Sequence, residues 1–163
     1  MKNPVIALFL LLFCCTQKQA DQASPIRSGD SALGIVVADT VIYDVAVVNH
    51  NPDDTWSTER LKNLHHELLL DNVFSMIAGG KAVAYDHTTG EKLTPGHVEK
   101  MLKSKEIDPA KIDMIQFKEI WYINASRATL RKEVISMVLG SQIYDNYGTF
   151  IGNKAIMRVE LLN

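Results

Sequence analysis

The histidines are the residues in this sequence with the widest chemical options, because imidazole binds metals and transfers protons near neutral pH. Five are present, and the densest group is His65-His66-Glu67. Adjacent residues on a helix point about 100° apart, so the two rings cannot easily share one ion. Histidines four residues apart, the zinc-protease spacing, do not occur in the sequence. His87 falls in a predicted turn and His97 on a short helix, so we expect surface histidines and no metal site.

One carboxylate falls in an apolar row. Strict strand alternation places Glu119 on the same side as Phe117 and Trp121, the predicted core face. A buried carboxylate needs a partner, which Arg131 or Arg158 could supply. A β-bulge that turns Glu119 outward is the competing explanation. No second acid, nucleophile or base accompanies this residue in the sequence, so we do not expect it to be catalytic.

Motifs for nucleophilic catalysis and for phosphate binding do not occur either. There is no Gly-x-Ser-x-Gly, and Gly79-Gly80 stands alone instead of belonging to a phosphate-binding loop. The chain has 17 Lys+Arg against 19 Asp+Glu, a formal net charge of −2, so it lacks the basic excess that nucleic-acid binding favours. We therefore expect no enzymatic activity, no cofactor and no nucleic-acid partner.

The dipeptide Tyr-Asp occurs three times, at Tyr43-Asp44, Tyr85-Asp86 and Tyr144-Asp145. The last two precede Gly90 and Gly148 by three or four residues. Aspartate can accept hydrogen bonds from backbone N–H groups in a tight turn, and glycine can adopt positive φ there. A tyrosine at a strand end packs its ring and exposes its hydroxyl. These pairs are expected to shape turns.

The N-terminus has the features of a secretory signal. Lys2 is followed by the apolar run Val5–Phe13 and then by polar residues Thr16–Gln19. Even with the two cysteines, the run is about half of the roughly 20 residues that a transmembrane helix requires. A signal peptide over residues 1–15 is therefore expected.

The two cysteines refine this prediction. Cys14 and Cys15 are adjacent and are the only ones, which excludes a disulfide framework and a multi-thiolate metal site. A cysteine ending the run, with Leu12 three positions earlier, is typical of a bacterial lipoprotein signal with lipidation at Cys15. Cleavage near Ala20 or Ala23 is the alternative. A lipid on Cys15 would attach the chain to the outer or the inner membrane.

The rest of the chain predicts one α+β domain. The length of 163 residues suits a single core. Residues 16–32 are polar and predict a tether, so the domain should cover 33–163. A strand is expected over Ile35–Asn49. Its apolar row would be Val37, Val41, Tyr43, Val45 and Val47.

Two helices are then expected, with a short strand between them over Lys81–Asp86. The first begins near Glu59 with Ser57 or Thr58 as its cap and ends at Gly79-Gly80. Its apolar stripe would be Leu61, Leu64 and Leu68, continued by Phe74 and Ile77. The second begins at Thr94-Pro95.

Three long strands follow and predict an antiparallel meander after the helices. The turn-like joins are Asn124–Arg127 and Asp145–Gly148. The expected apolar rows are Ile115, Phe117, Trp121 and Ile123 in the first strand, Ile135, Met137, Leu139 and Ile143 in the second, and Ala155, Met157, Val159 and Leu161 in the third. No regular βαβ repeat is present, which favours α+β over α/β.

Four segments from about Ser57 onward stand out by their order and spacing. They are Asp71–Asp86, Leu93-Thr94 opening a helix, Ile115–Tyr122, and Gln142–Gly148 with Gly152–Ile156. The most specific piece is Lys118-Glu119-x-Trp121, followed by the Tyr-Asp-x-x-Gly turn at Tyr144–Gly148. In these segments the chain resembles the GldN/PorN family of gliding-motility and type IX secretion proteins. Because the chain ends at Asn163, the resemblance suggests a shortened paralogue.

The resemblance implies a non-catalytic scaffold subunit in the periplasm of Bacteroidota. Such subunits assemble with a GldK/PorK-like lipoprotein into a ring beneath the outer membrane, for gliding motility and type IX protein secretion. The structural and interaction candidates would be Tyr85, Asp86, Glu119, Trp121, Tyr144, Asp145 and Gly148.

Two other hypotheses belong to different classes of protein. A lipid-anchored periplasmic ligand-binding module, unrelated to secretion, would have a deep apolar pocket with a few converging polar groups. An envelope hydrolase would bring Glu119, Asp86 or Asp145 together with a histidine around one cleft. The missing catalytic motifs disfavour the hydrolase.

Overall fold

The computed structural model describes residues 33–162. The predicted signal peptide (1–15) with Cys15, and the predicted tether (16–32), lie outside the described residues. Within the described part there are six strands, three α-helices and two 3₁₀ turns. In chain order they are β1 (Ile35–Ala46), α1 (Thr55–Leu61), α2 (His66–Ala78), β2 (Ala82–Asp86), β3 (Lys92–Leu93), α3 (Pro95–Lys103), a 3₁₀ turn (Pro109–Lys111), β4 (Met114–Asn124), a 3₁₀ turn (Ala125–Arg127), β5 (Thr129–Tyr144) and β6 (Phe150–Leu161).

The six strands form one antiparallel sheet in the order β1-β4-β5-β6-β2-β3. The α+β class and the β4-β5-β6 meander are confirmed. Two details of the prediction are wrong: three helices are present instead of two, and the two-residue strand β3 was not predicted. The two edges of the sheet differ greatly in length, because β1 has 12 residues and β3 has two.

The first predicted helix is two helices. The chain leaves α1 after Leu61 and re-enters a helix at His66, with His65 at the N-cap of α2. Asp54 caps α1, because its side chain accepts a hydrogen bond from the Ser57 backbone N–H at 3.0 Å. The predicted caps Ser57 and Thr58 are therefore inside the helix. Aspartate at the N-cap satisfies an N–H that the helix itself leaves free.

The buried stripe of α2 differs from the predicted one. Leu70, Val73 and Ile77 are the buried residues of α2, whereas Leu64 and Leu68 are exposed. Leu64 lies in the break between the two helices. Leu68 and Leu70 are two residues apart on α2 and so point about 200° apart, which means that they cannot both face the core.

The predicted C-terminal end of α2 and the predicted start of α3 are confirmed. Gly79 caps α2, and Gly80 follows it with φ +70°. At α3, the Thr94 side chain accepts a hydrogen bond from the His97 N–H, and Pro95 occupies the first turn.

Helices α2 and α3 cover one face of the sheet and enclose the core. The fully buried side chains are contributed by α2, the sheet and the 3₁₀ turn region. The largest are Leu70, Ile77, Ile112, Ile115, Leu139, Met157, Val73 and Val159. No helix in residues 33–162 is both long enough and apolar enough to cross a membrane.

The opposite face of the sheet stays accessible. It carries a shallow groove of about 300 Å³, whose walls include Ile42 from the edge strand and Val138 from the centre. Arg158 and Glu160 lie in the same groove and pair with each other at 3.1 Å. This face is therefore mixed in polarity, in contrast to the helix-covered face.

Bulges explain where the predicted apolar rows fail. The β1/β4 register shifts between Val36 and Val41, and Val37 is exposed in consequence. The β4/β5 register shifts next to Glu119, so that Val134 packs against the core and Ile135 lines the open groove. One extra residue in a strand moves its neighbours to the other face.

Candidate functional site

Glu119 is buried, with 5% of its surface exposed, and its two oxygens have separate donors. Oε1 accepts a hydrogen bond from the Tyr43 hydroxyl at 2.7 Å, and Oε2 accepts one from the Trp121 indole N–H at 2.8 Å. The predicted arginine partners are wrong, since Arg158 pairs with Glu160 instead. The carboxylate is satisfied by neutral donors.

Strand pairing positions these groups. In the β1/β4 pairing, Tyr43 lies opposite Phe117 and Val41 lies opposite Glu119. This register brings the Tyr43 side chain next to the Glu119 carboxylate. The nearby register shifts in β1 and β5 do not turn Glu119 outward, so the outward-bulge alternative is wrong. The ammonium of Lys132 lies 4.3 Å from the Trp121 ring centroid, where cation–π attraction applies.

The contact with Glu119 changes the pKa of Tyr43. The hydrogen bond to Glu119 raises the pKa of Tyr43 to about 12, and desolvation and the Glu119 charge act in the same direction. Losing the phenolic proton would place two negative charges together. The Glu119 cluster, meaning Tyr43, Glu119, Trp121 and Lys132, therefore joins the edge strand β1 to β4 and β5.

Two of the Tyr-Asp pairs shape turns as predicted. Asp86 Oδ1 accepts hydrogen bonds from the Thr88 and Thr89 N–H groups, which lowers the pKa of Asp86. Asp145 Oδ1 accepts from the Tyr147 and Thr149 N–H groups at 2.8 Å each. The glycines that close these turns, Gly90 and Gly148, have φ of +73° and +79°. Asn and Asp side chains commonly mimic a turn in this way.

Tyr85 lies on the open face of the sheet. The guanidinium carbon of Arg158 is 4.5 Å from its ring centroid, a cation–π distance. Burial raises the pKa of Tyr85, and a hydrogen bond with Glu160 adds to the rise. Tyr85 thus contacts Arg158 and Glu160, two residues that line the groove on this face.

A second buried carboxylate, Asp113, lies just before β4 and holds a histidine. Its Oδ2 is 2.7 Å from His50 Nε2, and its Oδ1 accepts from the Gln142 backbone N–H at 2.6 Å. The Tyr144 ring packs edge-on against His50, with centroids 5.6 Å apart. Asp113 therefore fixes both the imidazole and the end of β5.

These groups form one wall of a cleft of about 480 Å³ between the segment after β1, helix α1 and the end of β5. Tyr144 and Gly148, two of the predicted candidates, line it. The full lining is Ala46, Val48, Asn49, His50, Asn51, Asp54, Ser57, Leu61, Gln142, Tyr144 and Gly148. We call this the His50 cleft.

The seven candidates therefore fall in three places: Glu119 and Trp121 in the cluster, Tyr85 and Asp86 at the end of β2, and Tyr144, Asp145 and Gly148 at the end of β5. Sequence reasoning missed His50, Asp113 and Gln142. The available signal was Asp113 itself, a lone carboxylate between Ile112 and Ile115. The polar residues Asn51–Asp54 indicate only that the first predicted strand has ended.

The arrangement at the cleft does not assemble a nucleophile. Ser57 Oγ donates its hydrogen bond to Asp54 Oδ2 at 2.6 Å and so is engaged by a carboxylate. The histidine is held by Asp113, which was not among the acids expected at a hydrolase site. Within residues 33–162, no group of three or more His, Cys, Asp or Glu side chains is placed to hold a metal ion.

No protein-family model matches the chain, and no curated protein matches it.

Proposed function

We propose that the chain is a non-catalytic scaffold subunit of a cell-envelope complex that acts in gliding motility and type IX protein secretion. Its partner in this proposal is a GldK/PorK-like lipoprotein. The identity of the complex rests on the sequence resemblance. The surface to which the partner binds is the β1 edge of the sheet.

The observation that carries the proposal is the open edge of strand β1. From Val41 to Ala46 its pairing with β4 runs in continuous register, and Ile42 is 56% exposed there. A long regular edge offers unpaired backbone groups to another strand. The opposite edge, β3, is only two residues long and includes Lys92, so it offers little.

A second exposed apolar group supports the same function. The tip of the β5–β6 hairpin carries Tyr147, Phe150 and Ile151, and Tyr147 is 94% exposed. Aromatic and large aliphatic side chains of this kind dominate binding energy at protein interfaces. We call these three residues the hairpin tip.

Localisation in the periplasm and attachment through Cys15 belong to the same proposal. They follow from the predicted lipoprotein signal in residues 1–15. A lipid anchor would concentrate the edge strand near a membrane-attached partner, which raises the effective concentration of the two surfaces.

The experiment is copurification from the native host of the full chain with an affinity tag. Wild type is compared with Ile42→Lys, which places a charge on the edge strand, and with Leu68→Lys, the same change at an exposed site on α2. A charge on an edge opposes strand addition. The lipoprotein should copurify with wild type and Leu68→Lys and be lost from Ile42→Lys.

The proposal is wrong if no lipoprotein copurifies with any of the three chains, or if Ile42→Lys retains it fully. Near-ultraviolet circular dichroism of each variant establishes that the fold is intact before the comparison is made.

A further inference from the structure

The His50 cleft has the size and the fixed walls of a small-molecule site, independently of the scaffold function. Its volume of about 480 Å³ falls within the usual range for ligand pockets. Asp113, only 5% exposed, anchors one wall by binding both His50 and the Gln142 backbone. Burying a carboxylate costs folding free energy unless the carboxylate is well paired. Asp113 is paired, because each of its oxygens has a hydrogen-bond partner.

The lining excludes several ligand classes. No lysine or arginine is among the lining residues, so an anionic ligand would lack a counter-charge. Asp54 adds a negative charge instead, because hydrogen bonds from Ser57 lower the pKa of Asp54. A wholly apolar ligand would leave the amide groups of Asn51 and Gln142 desolvated. A neutral, polar ligand is what remains.

Some polar atoms in the cleft are hydrogen-bonded within the protein, and others can bind a ligand. Asn49 is committed to the loop, because Nδ2 donates to the Asp54 carbonyl and to Thr58, and Oδ1 accepts from the Asn51 N–H. Gln142 Oε1 accepts from the Tyr144 hydroxyl, which leaves its Nε2 for a ligand. His50 binds Asp113 through Nε2, so its second ring nitrogen faces away from that carboxylate.

An aromatic wall accompanies these groups. Tyr144 packs in a near-perpendicular arrangement against His50 and against Phe150, with centroids 5.6 and 6.0 Å apart. This fixes the Tyr144 ring in place. A fixed aromatic surface next to amide donors and a carboxylate acceptor fits a ligand that has C–H groups on one face and hydroxyls around its edge.

We propose that the His50 cleft binds a neutral saccharide. Hydroxyl groups both donate and accept. A sugar hydroxyl can accept from Gln142 Nε2, and others can donate to the Asp54 carboxylate and to His50 Nδ1. This nitrogen is the acceptor of a ring whose Nε2–H donates to Asp113. The Tyr144 ring contacts the C–H surface of the sugar. In an envelope protein such a site would hold the chain on a glycan strand while the β1 edge binds protein.

The test is NMR titration of the full chain with three neutral probes: chitotetraose, cellotetraose and maltotetraose. Inorganic phosphate serves as the anionic comparator. The readout is the shift of the His50 and Tyr144 ring signals. We expect at least one probe to give saturating shifts by about 10 mM, which would saturate a site with a Kd of roughly 1 mM, and phosphate to give none.

Variants locate the binding. Tyr144→Ala and Gln142→Ala should each weaken the best probe about tenfold, the effect of losing an anchor worth ~1.4 kcal/mol. Tyr147→Ala is the matched control, because Tyr147 is exposed and does not line the cleft. It should bind the probe within about twofold of wild type.

The proposal is overturned if no probe shifts the ring signals, if phosphate binds more tightly than every saccharide, or if Tyr147→Ala weakens binding as much as Tyr144→Ala. Tyr147→Ala also separates the two proposals, since it alters the hairpin tip and spares the cleft. Loss of saccharide binding in Tyr144→Ala with the lipoprotein partner retained would show that the two surfaces act separately.

Discussion

The helix-covered face of the sheet and the β1 edge with the hairpin tip are both rich in apolar side chains, but these have different surroundings. Under α2 and α3, residues such as Leu139 and Met157 are completely enclosed. At β1 and the hairpin tip, Ile42, Tyr147 and Ile151 extend into solvent. The first set accounts for the fold, whereas the second is left exposed by the residues that the structure describes.

Hydrophobic content alone therefore does not distinguish core residues from interface residues. Isolated exposed apolar residues are normal on protein surfaces. Within residues 33–162 they accumulate on the edge strand β1 and on the β5–β6 hairpin, which is where an interaction surface is expected. Substitutions in the two regions should therefore affect different measurements.

The largest effect is expected from shortening a core leucine. Leu139 in β5 is 0% exposed, so Leu139→Ala leaves a cavity and should lower the free energy of unfolding by about 2–5 kcal/mol. Leu130 in the same strand is 55% exposed, and Leu130→Ala should change it by less than ~0.5 kcal/mol. Urea denaturation of both variants measures the difference. Equal losses would contradict the assignment of the core.

The next effect concerns the junction between the edge strand and the core. Glu119→Ala leaves the Tyr43 hydroxyl and the Trp121 N–H without their acceptor, which should cost about 1–3 kcal/mol. Glu106→Ala, at an exposed loop position, is the control and should be nearly neutral. Stability equal to wild type in Glu119→Ala would mean that the cluster does not fasten β1.

Features of the fold that depend on residues close together in the sequence could be predicted from the sequence. The cap Thr94-Pro95, the end at Gly79-Gly80 and the two Asp turns involve neighbouring residues only, and all were found. The break at residues 62–65 was missed because apolar residues continue across it and no Pro or Gly marks it. Its cause lies in tertiary contacts, such as His66 Nε2 to the Ile112 carbonyl at 2.6 Å.

The candidate site was predictable in part. Burial of Glu119 followed from alternation along β4, but its partner Tyr43 lies 76 residues away, and strand pairing alone brings the two together. His50 and Asp113 are separated by 63 residues in the same way. Register across strands, including bulges, is set by packing and cannot be counted along one segment.

A pH effect should follow from the raised pKa of Tyr43. Below pH 10 both the folded and the unfolded chain hold the phenolic proton, and the stabilisation is complete. Between pH 10 and about 12 the unfolded chain loses this proton first, so the free energy of unfolding falls as pH rises.

Tyrosinate absorbance, with Tyr43→Phe to assign the signal, measures this pKa directly. In Glu119→Gln the pKa of Tyr43 should return toward its ordinary value, because the hydrogen bond that is the largest cause of the rise is weakened and the charge of Glu119 is removed. An unchanged Tyr43 titration in Glu119→Gln would contradict the hydrogen bond as the cause.

The smallest effect on stability is expected at the hairpin tip. Tyr147→Ala removes a ring that is 94% exposed, so thermal denaturation should be unchanged within about 0.5 kcal/mol. Copurification of the lipoprotein should nevertheless fall at least about tenfold if the ring is a binding anchor. Full retention of the partner would remove the hairpin tip from the proposed interface.

Site-specific photo-crosslinking in the native host shows whether the β1 edge contacts the lipoprotein. A photoreactive residue is introduced as Ile42→p-benzoylphenylalanine on the edge strand, and as Leu68→p-benzoylphenylalanine on α2. We expect one discrete adduct with a GldK/PorK-like lipoprotein from position 42 and none from position 68. No adduct at position 42, or equal adducts at both positions, would contradict it.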